Sequence, residues 1–125
     1  MEVSKVEEFH KAFKLPISEK LKLPDPNERH LRRALLLEEV NEYIEGEINN
    51  SLIDIADGLA DMVYIICGTA LAYGIPLEDV FNEVHRSNMT KLDTDGNPIF
   101  REDGKILKGP NYEPPNIGKV LHGLK

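Results

Sequence analysis

The sequence predicts an all-α domain of the four-helix-bundle type, and three observations carry that expectation. Start and stop signals recur along the first ninety or so residues at intervals that fit four helices. Between them, apolar residues return at helical spacing. A chain of 125 residues that is 41% hydrophobic is also long enough to bury a single core without a disulfide or structural zinc. One domain over residues 1–125 is therefore expected, helical over about 4–91, with an irregular tail over 92–125.

Ser4 and Glu7 have the spacing of a capping box, and Val6, Phe9, His10 and Phe13 follow at helical spacing up to the break at Pro16. Residues 16–24 then connect to Asp25-Pro26-Asn27-Glu28, where a capping Asp, a Pro at the first helical position and a Glu reaching back open a helix to about Gly46. Asn49-Asn50-Ser51 marks a turn. Leu52 to Tyr73 is helix-favouring and mostly apolar until Gly74 stops it. Pro76 opens a fourth helix, to about Lys91. Beyond it, 99–101 and 105–107 are expected to pair as a small hairpin around Asp103-Gly104, and Gly109 to Pro115 reads as extended loop.

Charge narrows the class of partner. With 15 Lys plus Arg against 22 Asp plus Glu, the net charge is −7, which argues against nucleic acid. The segment MEVSKVEEFHKAF has no signal-like apolar stretch, and the longest uncharged run, Met62 to Leu77, is sixteen residues interrupted by Gly74 and Pro76. No membrane span is expected. A lone cysteine, Cys67, fits a reducing compartment, so the cytoplasm is the expected location.

The candidate chemistry lies in the middle of the chain. Between Ala34 and His85 stand eleven acidic residues and no Lys or Arg, so local ion pairing within that stretch is impossible. Glu38, Glu42 and Glu45 fall within about a 60° arc that Leu31 and Leu35 continue, at about 100° per residue. Asp54, Asp57 and Asp61 are the charged residues between Leu52 and Tyr73, in a helix otherwise apolar enough to be buried. Solvated acidic faces are the bland alternative. Carboxylates converging from two helices would instead repel one another unless a cation intervened, and hard oxygen donors suit Mg²⁺ or Mn²⁺. Zinc fits poorly, because His10, His30, His85 and His122 are scattered. In the fourth helix, Asn88 and Lys91 share a stripe with Leu77, Phe81 and Val84, and offer an amide and an ammonium to phosphate oxygens.

Glu38-Glu39-Val40-Asn41-Glu42, followed one helix later by an acidic pair, resembles the EExxE…ExxD signature of the MazG-like all-α nucleoside triphosphate pyrophosphohydrolases. Phe9-His10-Lys11-Ala12-Phe13, Leu59-Ala60-Asp61, Gly68-Thr69-Ala70, the run from Val84 to Lys91, and Lys108-Gly109-Pro110-Asn111-Tyr112 extend the likeness to the phosphoribosyl-ATP pyrophosphohydrolase-like or Cof-like subfamily. The resemblance implies a metal between helices and cleavage between the α and β phosphates of a nucleoside triphosphate. It assigns metal-ligand positions to Glu38, Glu39, Glu42 and Asp61. The Glu of ExxD falls on Gly58, and Asp57, four residues before Asp61, is the substitute ligand expected here. Mg²⁺, with Mn²⁺ as the other option, is the expected cofactor. Glu39 is preferred over Glu42 as the residue that orients the attacking water or accepts its proton. Phe9, His10 and Tyr112 are candidates for the nucleotide base.

A homodimer or a dimer of dimers is expected, because four short helices cannot cover Ile55, Met62, Ile66, Thr69 and Tyr73 on every side. Two other functions fit the same residues: hydrolysis of phosphoribosyl-ATP, and a non-catalytic helical dimer that binds nucleotide or metal, which Gly58 keeps open.

Overall fold

A computed structural model describes residues 2–123; Met1, Leu124 and Lys125, at the ends of the expected domain, lie outside the described residues. The all-α expectation holds. Five helices form among the described residues: α1 (Val3–Ala12), α2 (Pro26–Ile48), α3 (Leu52–Tyr73), α4 (Leu77–Met89) and α5 (Ile117–His122). The chain divides into two compact units, one ending at Pro76 and the other beginning at Leu77.

In the first unit, local chemistry sets the helix boundaries. The Asp25 side chain accepts from the Glu28 backbone N–H at 3.0 Å with Pro26 following, and the Ser51 hydroxyl accepts from the Asp54 N–H at 3.2 Å. Gly74 ends α3 at φ 68°, and a Cβ there would run into the Lys20 carbonyl. That carbonyl belongs to the segment between α1 and α2, which is tied to the end of α3 where Ser18 N–H donates to the Leu71 carbonyl at 2.8 Å and Lys22 N–H to the Tyr73 carbonyl at 2.9 Å. The expected capping box at Ser4 does not form. Ser4 lies inside α1, whose first turn is instead flanked by a Glu2–Lys5 pair at 3.0 Å.

Helices α2 and α3 make an antiparallel hairpin. Going back along α2 from Gly46 through Tyr43 and Glu39 to Arg32, the partners go forward along α3 from Asp54 through Gly58 and Asp61 to Gly68. Two glycines bring the helices together. A Cβ on Gly46 would lie 3.0 Å from the Ile55 backbone nitrogen, and one on Gly58 would lie 2.9 Å from the Tyr43 Cα. Helix α1 packs on α3, with Phe9 edge-on to Tyr64 at 5.5 Å. Over 18 residues α3 reaches a mean hydropathy of 1.5, enough for a membrane span by length and composition alone. Its contacts with α1 and α2 account for part of that apolar surface, and Ile53, at 83% exposed, and Ile66, at 42%, remain outside.

In the second unit, α4 and α5 pack together. One face of α4 fastens the chain entering α5. The Ser87 hydroxyl donates to the Glu113 carbonyl at 2.7 Å, and the Glu113 N–H donates to the Thr90 hydroxyl at 2.9 Å. Arg86 bridges Glu83 and Glu113, while Glu83 also accepts from the Asn116 N–H at 2.7 Å. The Arg86 guanidinium and the Asn116 N–H together hold the Glu83 carboxyl down at about 2. Helix α5, which the sequence reading did not anticipate, is capped by the Asn116 side chain and stopped by Gly123. The expected hairpin contracts to one bridge, Phe100 with Ile106, closed by the Gly104 turn.

Candidate metal centre

The hairpin geometry decides which acids meet. Glu39 and Glu42 of α2 and Asp61 of α3 each offer a carboxylate oxygen within 4.8 Å of the others. Glu39 and Asp61 are half-buried, and Glu42 is exposed. Desolvation, then the charges of Asp61 and Glu42, push the Glu39 carboxyl up to about 7. Its Oε2 is sealed from solvent with no hydrogen-bond donor facing it. A buried, donorless carboxylate oxygen among two further carboxylates fits a hard divalent cation, which would supply the missing positive charge.

Beside this group lies an open cavity of about 300 Å³, lined by Glu42, Glu45, Gly46, Asn49, Asp54, Asp57 and Gly58. Glu42 is common to the group and the cavity. Asp57 is exposed and faces the cavity, so it lies beside the close group. Glu38 is exposed and is not one of the three grouped residues. Gly58, where a Glu was expected from the resemblance, has no room for a side chain because the Tyr43 backbone occupies that space.

The inward face of α2 is rotated from the expected one. Leu31 is 48% exposed and Arg32 is 6% exposed, so the buried stripe runs through Arg32, Glu39 and Gly46 rather than through Leu31, Glu38 and Glu45. Arg32 donates from Nε to the Thr69 hydroxyl at 3.0 Å and from Nη2 to the Ile65 carbonyl at 2.9 Å. Burial pulls its pKa down, and the Glu28 carboxylate opposes that. Sequence reasoning passed over Arg32 because a charged residue is ordinarily placed outward. Its spacing of seven from Glu39, two turns on one face, was the available signal.

Among the base-pocket candidates, His10 is corrected. It is 2% exposed, its Nδ1 faces the Pro16 carbonyl at 2.9 Å, and it is walled in too tightly to stack on a base. Phe9 packs against Phe13 at 4.5 Å and against Tyr64. Tyr112, in the second unit, has the Lys108 ammonium 4.8 Å above its ring. Asn88 is exposed near the end of α4, and Lys91, just beyond it, is half-buried. Cys67 is buried and free, and burial raises its thiol pKa, which disfavours the thiolate.

A helical hairpin carrying opposed carboxylates defines the class, and comparison with known proteins specifies it. The family model of phosphoribosyl-ATP pyrophosphohydrolase matches residues 6–88. The chain belongs to that family. Uncharacterized protein L479 of Acanthamoeba polyphaga mimivirus is 27% identical over 107 residues, which are 82% of this chain and 40% of L479. The chain thus spans about two-fifths of that relative's length. A crystal structure of a provisionally assigned NTP pyrophosphohydrolase from Exiguobacterium sp. 255-15 aligns with a TM-score of 0.49 at 24% identity, covering 92% of this chain and 89% of that one.

Proposed function

We propose that this chain is a metal-dependent nucleotide pyrophosphohydrolase that cleaves the α–β phosphoanhydride of a nucleoside triphosphate to monophosphate and pyrophosphate. The carrying observation is the convergence of Glu39, Glu42 and Asp61 across the α2–α3 hairpin, in a chain of the phosphoribosyl-ATP pyrophosphohydrolase family. Mg²⁺ or Mn²⁺ bound there would neutralise phosphate charge and lower the pKa of an attacking water. Glu39 and Glu42 of α2 and Asp61 of α3 would hold the ion from opposite helices, and Asp57, on the cavity that Glu42 also lines, would be the further ligand. The Glu39 carboxylate would also orient the water and accept its proton. Positioning and charge compensation suffice for this chemistry, so no covalent nucleophile is needed. In the second unit, Asn88 and Lys91 offer donors suited to phosphate oxygens.

Phosphoribosyl-ATP is the second substrate considered, because the family match supports it and the bond cleaved is the same. The working form is a homodimer or a dimer of dimers, supported by the apolar side chains that α2 and α3 leave exposed, among them Leu37, Ile48, Ile53 and Val63. The free Cys67 supports a cytoplasmic location.

Pyrophosphate release from a panel of nucleoside triphosphates and phosphoribosyl-ATP, with Mg²⁺ or Mn²⁺, tests the proposal. Release from at least one substrate, dependent on the metal and abolished in Glu42→Gln with the helical spectrum unchanged, is the expected outcome. No release from any substrate, by a protein that still binds Mn²⁺, would leave a non-catalytic binding module in its place.

A further inference from the structure

We infer that Arg32 is a positioning residue for the metal centre: its guanidinium sets the register at which α2 presents Glu39 and Glu42 to Asp61 of α3. The inference rests on reading the acid group as a metal centre. Arg32 lies seven residues before Glu39, two turns away on the same face, and its partners Ile65 and Thr69 lie one and two turns beyond Asp61. The guanidinium is a planar fork with donors in fixed directions, so two bonds to successive turns of α3 fix both the slide and the rotation of α2. Thr69 closes the network by donating to the same Ile65 carbonyl at 2.9 Å.

The surroundings hold the fork in place. An added Cβ on Gly68 would lie 2.5 Å from Arg32 Nη2 and 2.8 Å from His10 Nε2, so a side chain there would displace the guanidinium, the imidazole or both. His10, held through Nδ1 by the Pro16 carbonyl, walls the guanidinium from the α1 side. A leucine at position 32 would bury as much apolar surface, but that attraction has no direction. A divalent cation demands direction. One residue of slide moves a helix by about 1.5 Å, whereas Mg²⁺ holds its oxygens at about 2.0–2.1 Å in near-octahedral array.

Titration of the full-length chain with Mn²⁺ alone, followed by electron paramagnetic resonance, tests this. Arg32→Met is expected to weaken Mn²⁺ binding about ten- to a hundredfold. Thr69→Val, which removes one acceptor and spares the guanidinium, is expected to weaken it severalfold and decides the matter if Arg32→Met does not fold. Val6→Ala, a cavity in the buried face of α1, is expected to lower the melting temperature while keeping wild-type Mn²⁺ affinity. Wild-type affinity in a folded Arg32→Met or in Thr69→Val, or losses no larger than that of Val6→Ala, would overturn the positioning role. Absence of Mn²⁺ binding by the wild-type chain would instead overturn the metal centre itself.

Discussion

Glu39 is the residue on which the proposed chemistry turns, and its protonation gives the sharpest residue-scale test. Its carboxyl stands at about 7 against an ordinary 4.5. A carboxyl whose folded value is raised contributes stability that is fully present below about pH 4.5 and is lost as pH rises through about 7. Thermal melts of the metal-free protein should therefore show a falling melting temperature across that window, and saturating Mg²⁺ should remove the fall by favouring the ionised form. A flat profile without metal would mean that Glu39 is not crowded by Asp61 and Glu42. The sequence made the acids legible, since eleven carboxylates without a basic residue leave little else to neutralise them. Which carboxylate faced inward was not legible. Periodicity alone places leucines inside and arginines outside, and the burial of Arg32 turns α2 so that Glu39, not Glu38, joins Glu42.

At the scale of elements, the α2–α3 hairpin is the frame, and its boundaries were readable because caps are local. Asp25-Pro26, Ser51 and Gly74 each act where they stand in sequence. The close approach of the helices was not readable, because it depends on partners that sequence does not pair. Gly58 illustrates this: its departure from the expected Glu looks like a lost ligand, yet the Tyr43 backbone leaves no space for any side chain there. Gly58→Ala should destabilise the fold by about 1 kcal/mol, since overpacking against backbone, about 2 kcal/mol, outweighs the roughly 1 kcal/mol gained in helix propensity. Denaturant unfolding measures it, and unchanged or higher stability would show that the helices part freely at this point. The tail shows the reverse limit. Asp103-Gly104 makes its turn, but among the described residues the pairing across it is the single bridge of Phe100 with Ile106, and α5 is too short for periodicity to reveal.

At the scale of the whole molecule, the first unit exposes more large apolar side chains than a lone three-helix unit needs, with Leu52, Ile53 and Ile48 all above 70% exposed. Light scattering at micromolar concentration should give at least twice the mass of one chain, and a monomer would contradict the proposed assembly. The two units answer to different chemistry: carboxylates meeting across a hairpin in the first, a network of hydroxyls and ion pairs fastening α5 to α4 in the second. The most direct test of the central claim is anomalous diffraction from crystals grown with Mn²⁺. A peak within coordination distance of Glu39, Glu42 and Asp61, absent in Glu42→Gln, is the expected result, and no peak between α2 and α3 would contradict the account.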